Sequence, residues 1–448
     1  MSRYLSIDCE WIDQPVATDP LERRTWARIQ INAKGRTATR LWDRDAVAER
    51  QSIYIPAFPL ARWIAANWWA LLYEPARGEN IPAIDRTADP AQRAWLRRHC
   101  LRFADSGLLL PRMALHGDGQ GVVLEWFADD PDVFPHMPGQ FVGADRVHLP
   151  VDEVESALRE FLARVIDRVI GLVGDEAGQF RSNWKAIAEA DPDEAAFCRS
   201  AGKIGLDPYC LSDWPADLVE LLEAGLGSDP GQPLAADFLE AAEPETAVQL
   251  WNWVDDTQAR FDLQKSPTPT SLGAASFDNP VTSGYQLARN LRDAMGASES
   301  TALKSVSDAA ATLKIGGLTF ESHNHLTSPR VQAAVGWRRG QEPVVAGPPP
   351  TRESQRRFLE ARALYQAAFA CGTGPRLVTN ATTSSQRATR AFAAELLAPQ
   401  AGLVARFDRV AWARDPDDLL EKLADHYAVS TMLVHHQLVN AGLNLGEA

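Results

Sequence analysis

Apolar residues recur along this chain with two different periods, and the change of period marks its elements. Ser6 to Trp11 and Thr25 to Asn32 carry the alternation expected of short strands. Met113 to Trp126 reads as a hairpin, with Gly117, Asp118, Gly119 and Gly121 supplying the turn. That glycine cluster has neither the lysine nor the following helix of a phosphate loop, so it is assigned to the turn alone. Pro59 to Leu72 is predicted helical, and its Trp63, Trp68 and Trp69 suit a packed core better than a ligand-stacking platform. Further on, Val154, Leu158, Phe161, Leu162, Val165, Ile166, Val169 and Leu172 recur at steps of three and four, which predicts one long amphipathic helix. A second helical block follows from about Ala195 to Gly225, with a turn over Ala201 to Tyr209.

Beyond this the pattern alternates again. Helices are predicted over Tyr285 to Met295 and Ala302 to Leu313, then strands over Leu318 to Ser322, Val331 to Trp337 and Val344–Val345. Longer helices follow at Glu353 to Phe369, Gln386 to Leu397, Asp417 to Tyr427 and Ser430 to Ala441, the last with Ser430 as its N-cap. The expected fold class is α+β, with a mixed α/β module over 1–150, a helical region over 151–265, a linker over 266–280 and a last α+β domain over 281–448. Pro267, Pro269, Ser271, Gly273 and Asn279 are what mark the linker. At 448 residues the chain is too long for one ordinary core, which agrees with this division.

Charge and composition narrow the function classes. A formal net charge of −14 disfavours a broad nucleic-acid surface, which needs concentrated Lys and Arg. A helix-turn-helix around Ala201 to Tyr209 meets the same objection, because the next helix carries Asp213, Asp217, Glu220 and Glu223. No apolar run approaches the ~20 residues of a membrane span, and the first residues lack the apolar stretch of a signal peptide. Cys9, Cys100, Cys198, Cys210 and Cys371 are scattered without CxxC spacing, so buried reduced thiols in the cytosol are expected and a thiolate zinc site is not.

The candidate chemistry lies in the last domain. Arg390-Ala-Phe-Ala-Ala-Glu-Leu-Leu-Ala-Pro399, Leu423-Ala-Asp-His-Tyr-Ala-Val-Ser430 and His436-Gln-Leu-Val-Asn440 resemble the C-terminal half of the ImmA/IrrE family, bacterial zinc metallopeptidases tied to repressor cleavage and stress responses. The resemblance covers about 281–448 and implies a zincin-like fold with a His-Glu-x-x-His helix after an Arg-Arg-Phe-like run. Here Arg356-Arg357-Phe358-Leu359-Glu360-Ala361 leads into Arg362-Ala363-Leu364-Tyr365-Gln366.

Two imidazoles four residues apart share a helix face and grip one zinc ion, while the glutamate between them activates its water. Arg362 offers donors only, Ala363 accepts no proton, and Gln366 is a weak oxygen donor. The family's third, acidic ligand falls on Gln386-Arg387-Ala388-Thr389, which holds no carboxylate. The expectation is therefore a retained fold with a dismantled site, without catalytic residues and without metal.

In place of the metal, Arg362 is expected to supply the positive charge and to pair with Glu395 or Glu360 if it points inward. A displaced metal site at His323 and His325, or at His435 and His436, lacks a marked third ligand, and Cys371 lacks a marked base. The function expected from the resemblance is a regulatory or protein-binding module, with a protein or peptide partner, in bacterial stress, mobile-element or phage-related control. The alternatives are an active zinc endopeptidase with non-standard ligands and a DNA-binding regulator.

Overall fold

The computed structural model describes residues 4–12, 17–78, 81, 89–131, 137–172, 174–224, 226, 233–259, 261, 279–322, 328–338, 342–370, 374–443 and 445. The chain is α+β, and it folds as two compact units, residues 1–214 with 222–228 and residues 215–221 with 229–448.

In the first unit the strands are short and antiparallel. β1 (Leu5–Trp11) pairs along its whole length with β2 (Trp26–Ala33), after a short α1 (Pro20–Arg24). β2 also pairs with β3 (Arg36–Thr37) and, after β4 (Leu41–Asp43) and β5 (Ala48–Arg50), with β6 (Ile53–Pro56). Thr25 is not part of the strand. Its buried hydroxyl closes α1 by donating to Leu21 O and accepts from Phe58 N.

The predicted helix over Pro59 to Leu72 is two helices, α2 (Ala57–Ala66) and α3 (Trp68–Tyr73), broken at Asn67, whose side chain donates to Trp63 O. Trp63, Trp68 and Trp69 are all buried, which places them in the core. α4 (Pro90–His99) leads to the predicted hairpin, β7 (Arg112–Gly117) and β8 (Val122–Phe127). Asp118 Oδ1 ties its turn by accepting from the N–H groups of Gln120 and Gly121. β9 (Gly139–Phe141) pairs β4, and β10 (Asp145–Leu149) pairs β8.

The long amphipathic helix is α5 (Val151–Val169), burying Val154, Leu158, Phe161, Leu162, Val165 and Val169. α6 (Asp175–Glu189) and α7 (Pro192–Ile204) follow, and α7 stops at Gly205, whose φ of +84° is the left-handed C-cap glycine favours. A side chain there would also strike the Glu74 carboxylate. The stretch from Gly205 to Pro215 before α8 (Ala216–Glu223) is far longer than the three- or four-residue turn of a DNA-reading helix pair, and Asp217, Glu220 and Glu223 are exposed on α8. This geometry does not suit the helix-turn-helix alternative.

The second unit joins residues 215–221, most of α8, to α9 (Pro233–Ala241), α10 (Ala247–Gln258) and everything after them. Of the expected linker, 266–278 lies outside the described residues, while Asn279 and Pro280 belong to α11 (Pro280–Ala294), with Asn279 Oδ1 capping Thr282 N. After α12 (Val306–Thr312) comes a four-stranded sheet in the order β11 (Thr319–Ser322), β13 (Glu342–Gly347), β12 (Val331–Arg338), β14 (Arg376–Thr379). The β11–β13 pair is parallel and the others are antiparallel.

α13 (Glu353–Tyr365) and α14 (Ser384–Leu397) pack on one another beside this sheet, and α11 lies tightly against α14. The core here is aliphatic and aromatic, with Leu359, Leu364, Phe392, Leu396 and Tyr427 buried. α15 (Gln400–Arg406), α16 (Arg409–Arg414), α17 (Pro416–Tyr427) and α18 (Thr431–Asn440) complete the unit, and Ser430 caps α18 as expected. Among the described residues no helix is long and apolar enough to cross a membrane.

Candidate functional site

The sequence singled out the second half of α13 and the first half of α14, and the fold brings these together. Arg362 in the last turn of α13 and Gln366, the first residue of the helical turn that continues it, are four apart, so they project toward the same neighbours one turn apart. Those neighbours are β14, β12 and the start of α14. Arg362 is 1% exposed. Its Nε donates to Thr389 Oγ1 at 3.1 Å and its Nη1 to Gln332 Oε1 at 2.8 Å. Its Nη2 donates to Thr379 O at 2.6 Å and to Gln386 Oε1 at 2.9 Å. Two of these acceptors, Gln386 and Thr389, lie in the stretch where the resemblance puts a third metal ligand.

Burial pushes the Arg362 guanidinium pKa well below its ordinary value, and the like charge of Arg390 adds to the push. The four oxygen acceptors do the solvating that water would otherwise do. Among the described residues none is a carboxylate in contact with it.

Gln366 is fully buried, and its Nε2 donates to Leu377 O at 3.3 Å while its Oε1 meets no hydrogen-bond partner among the described residues. The helix predicted over Glu353 to Phe369 changes here from α to one π turn over Gln366–Ala370. Ala363 is buried in the apolar core. Gln386 uses both ends of its amide. Nε2 donates to Leu377 O at 2.8 Å, and Oε1 accepts from Thr379 N at 3.0 Å as well as from Arg362.

The expected ion pair between Arg362 and Glu395 or Glu360 does not form. Glu360 is two residues before Arg362, hence on another face of α13, where it meets Arg356 at 3.0 Å. Its carboxyl is pushed up by burial, against the pull of Arg356. Glu395 is buried on the α14 face toward α11 and pairs with Arg289 at 2.8 Å, while also accepting from Gln400 N and Gln437 Nε2. Both carboxylates are spoken for by other arginines.

This donor set does not fit zinc. A guanidinium has no lone pair to give, a methyl group has none, and Gln386 Oε1 is spent on Thr379 N and Arg362, which leaves Gln366 Oε1 as a single neutral oxygen where zinc needs three or four ligands. Among the described residues no three His, Cys, Asp or Glu side chains converge in a metal-binding group. His323, His325 and Cys371 lie outside the described residues. His435 and His436 sit side by side on α18 with ring centroids 6.1 Å apart. Cys9, Cys100 and Cys198 are buried, and burial raises each thiol to about 11, which makes them poor nucleophiles.

Sequence reasoning missed Gln332 and Thr379, which complete the ring of acceptors from strands distant in sequence. It also missed β14 itself, a four-residue strand whose only local signal is Leu377-Val378-Thr379 between Gly374-Pro375 and Asn380. No family model, curated protein or solved structure matches the chain.

Proposed function

We propose that the second unit is a metal-free, non-hydrolytic domain of the ImmA/IrrE metallopeptidase-like type, and that the chain is a regulatory, protein-binding module of the bacterial cytoplasm. The observation that carries the loss of hydrolysis is Arg362. A fixed cation stands where the first zinc ligand is expected, and its donors consume the oxygens of Gln386 and Thr389 where the last ligand is expected. A divalent cation beside a buried guanidinium would face like-charge repulsion in a medium that screens it poorly.

The regulatory role, in stress, mobile-element or phage-related control, rests on the family resemblance of residues 281–448. It is compatible with the acidic balance of the chain, which points to protein rather than nucleic-acid partners. The test is to supply the pure full-length protein with zinc and a mixed peptide library. The expected result is no cleavage; chelator-sensitive cleavage that Gln366→Ala abolishes would sink the proposal.

A further inference from the structure

Arg362, Gln366 and Gln386 have a common target, the outer edge of β14. β14 pairs with β12 on one side, and Asn380 N donates across that side to Arg330 O. Antiparallel strands point both main-chain groups of a residue the same way and alternate from one residue to the next. Val378 therefore faces β12, and Leu377 and Thr379 face outward.

An outward edge of this kind is an open template for another strand, with N–H and C=O groups waiting in register. Here each of those groups already has a side-chain partner. Leu377 N donates to Asp237 Oδ2 at 2.9 Å, and Leu377 O accepts from the amides of Gln386 and Gln366. Thr379 N donates to Gln386 Oε1, and Thr379 O accepts from Arg362. One step on, Ala381 N donates to Thr379 Oγ1 and Ala381 O accepts from Arg390 Nη1 at 2.9 Å.

Asp237 reaches the edge from α9, which packs along β14, and it is 2% exposed. Arg376, at the start of the strand, fixes it from two nitrogens at 2.7 Å each. A carboxylate held this way presents one oxygen to Leu377 N much as the carbonyl of a neighbouring strand would.

We infer that Asp237, Gln386, Gln366 and Arg362 form a side-chain cap that takes the place of a neighbouring strand along β14 and shuts this sheet edge to strand addition. The inference stands on the hydrogen bonds alone and does not depend on the ancestry proposed above.

Amide exchange of the full-length protein, resolved to single residues, tests it. In the wild type the Leu377 and Thr379 amides exchange as slowly as Val378, which is inside the sheet. Asp237→Ala speeds Leu377 by on the order of tenfold or more and leaves Val378 slow, because one charge-assisted bond is lost. Asp237→Asn, which keeps an acceptor oxygen, stays close to wild type and guards against a variant that merely unfolds. A synthetic peptide copying residues 374–382 binds the Asp237→Ala, Gln386→Ala double variant and not the wild type. Fast exchange of Leu377 and Thr379 in the wild type, equal acceleration of Val378 in Asp237→Ala, or peptide binding to the wild type would each overturn the cap.

Discussion

Arg362 and Glu74 are both buried charges, and the chain stabilises them by opposite means. Glu74, in the first unit, is 1% exposed and gathers nitrogen partners: Arg98 meets both of its oxygens at 3.0 and 2.7 Å, Arg77 approaches at 3.3 Å, and His99 Nε2 lies at 2.9 Å. The other ring nitrogen of His99 faces Leu115 O at 2.6 Å, so both ring nitrogens point at acceptors. Burial pushes the Glu74 carboxyl up, but the hydrogen bonds and charges of His99 and Arg98 outweigh it and bring it down to about 2.

A carboxyl whose folded value lies below its unfolded value, 4.5, adds stability that is fully present above pH 4.5 and fades as pH falls toward 2. Its size is about 3 kcal/mol. Glu74→Gln is expected to lose about that much at neutral pH and to flatten the acid limb of the urea midpoint plotted against pH. An unchanged acid limb would contradict the role given to Glu74.

Arg362 instead has four neutral oxygens, and a single truncation orphans several of them at once. Arg362→Ala is expected to lower unfolding free energy by about 3 kcal/mol. Arg362→Lys recovers only part of this, since an ammonium cannot span acceptors spread around a planar fork. Denaturant titration checks both, and an Arg362→Ala protein as stable as wild type would contradict the ring of bonds around this guanidinium. At this scale the sequence marked 362 and 366 as positions that share a face, because helical spacing is local. It did not tell what they hold. Gln332 and Thr379 reach Arg362 from strands, and long-range pairing leaves no mark in the residues nearby.

At the scale of elements, α11 and α14 cross so closely that only glycine fits at one point. A Cβ on Gly284 would lie 2.9 Å from Phe392 N and closer still to the Ala388 carbonyl. Ala is the better helix former in isolation by roughly 1 kcal/mol. Backbone against backbone cannot yield, so Gly284→Ala is expected to destabilise the second unit by about 1–3 kcal/mol net. A thermal melt with an unchanged or raised midpoint would contradict the close crossing.

Long periodic helices such as α5 and α14 were legible to within a few residues, because burial of one face imposes the period. The break at Asn67 and the π turn after Tyr365 were not, since both keep an apolar pattern that reads as continuous. Short strands such as β3, β5 and β14 have too few residues to show alternation.

At the scale of the molecule, α+β character was readable from the switch between periods, but membership of the cores was not. α9 and α10 come before the stretch that composition marked as a linker, yet they fold with the second unit. Asp237 of α9 meets Arg376, and Glu243 just after α9 meets Arg330 at 2.9 Å. An amphipathic helix advertises that it has a face to bury and not which core receives it. The same limit applies to the candidate site, where α13, α14, β12 and β14 converge although no local pattern says which of their faces meet.

This convergence holds a buried guanidinium among four oxygen acceptors, and the metal-free reading proposed above rests on it. Its most direct test is the zinc content of the pure full-length protein, measured by mass spectrometry after zinc loading and removal of loosely held ions. The predicted result is no retained zinc. One equivalent of zinc per chain, lost on Gln366→Ala or Gln386→Ala, would contradict it.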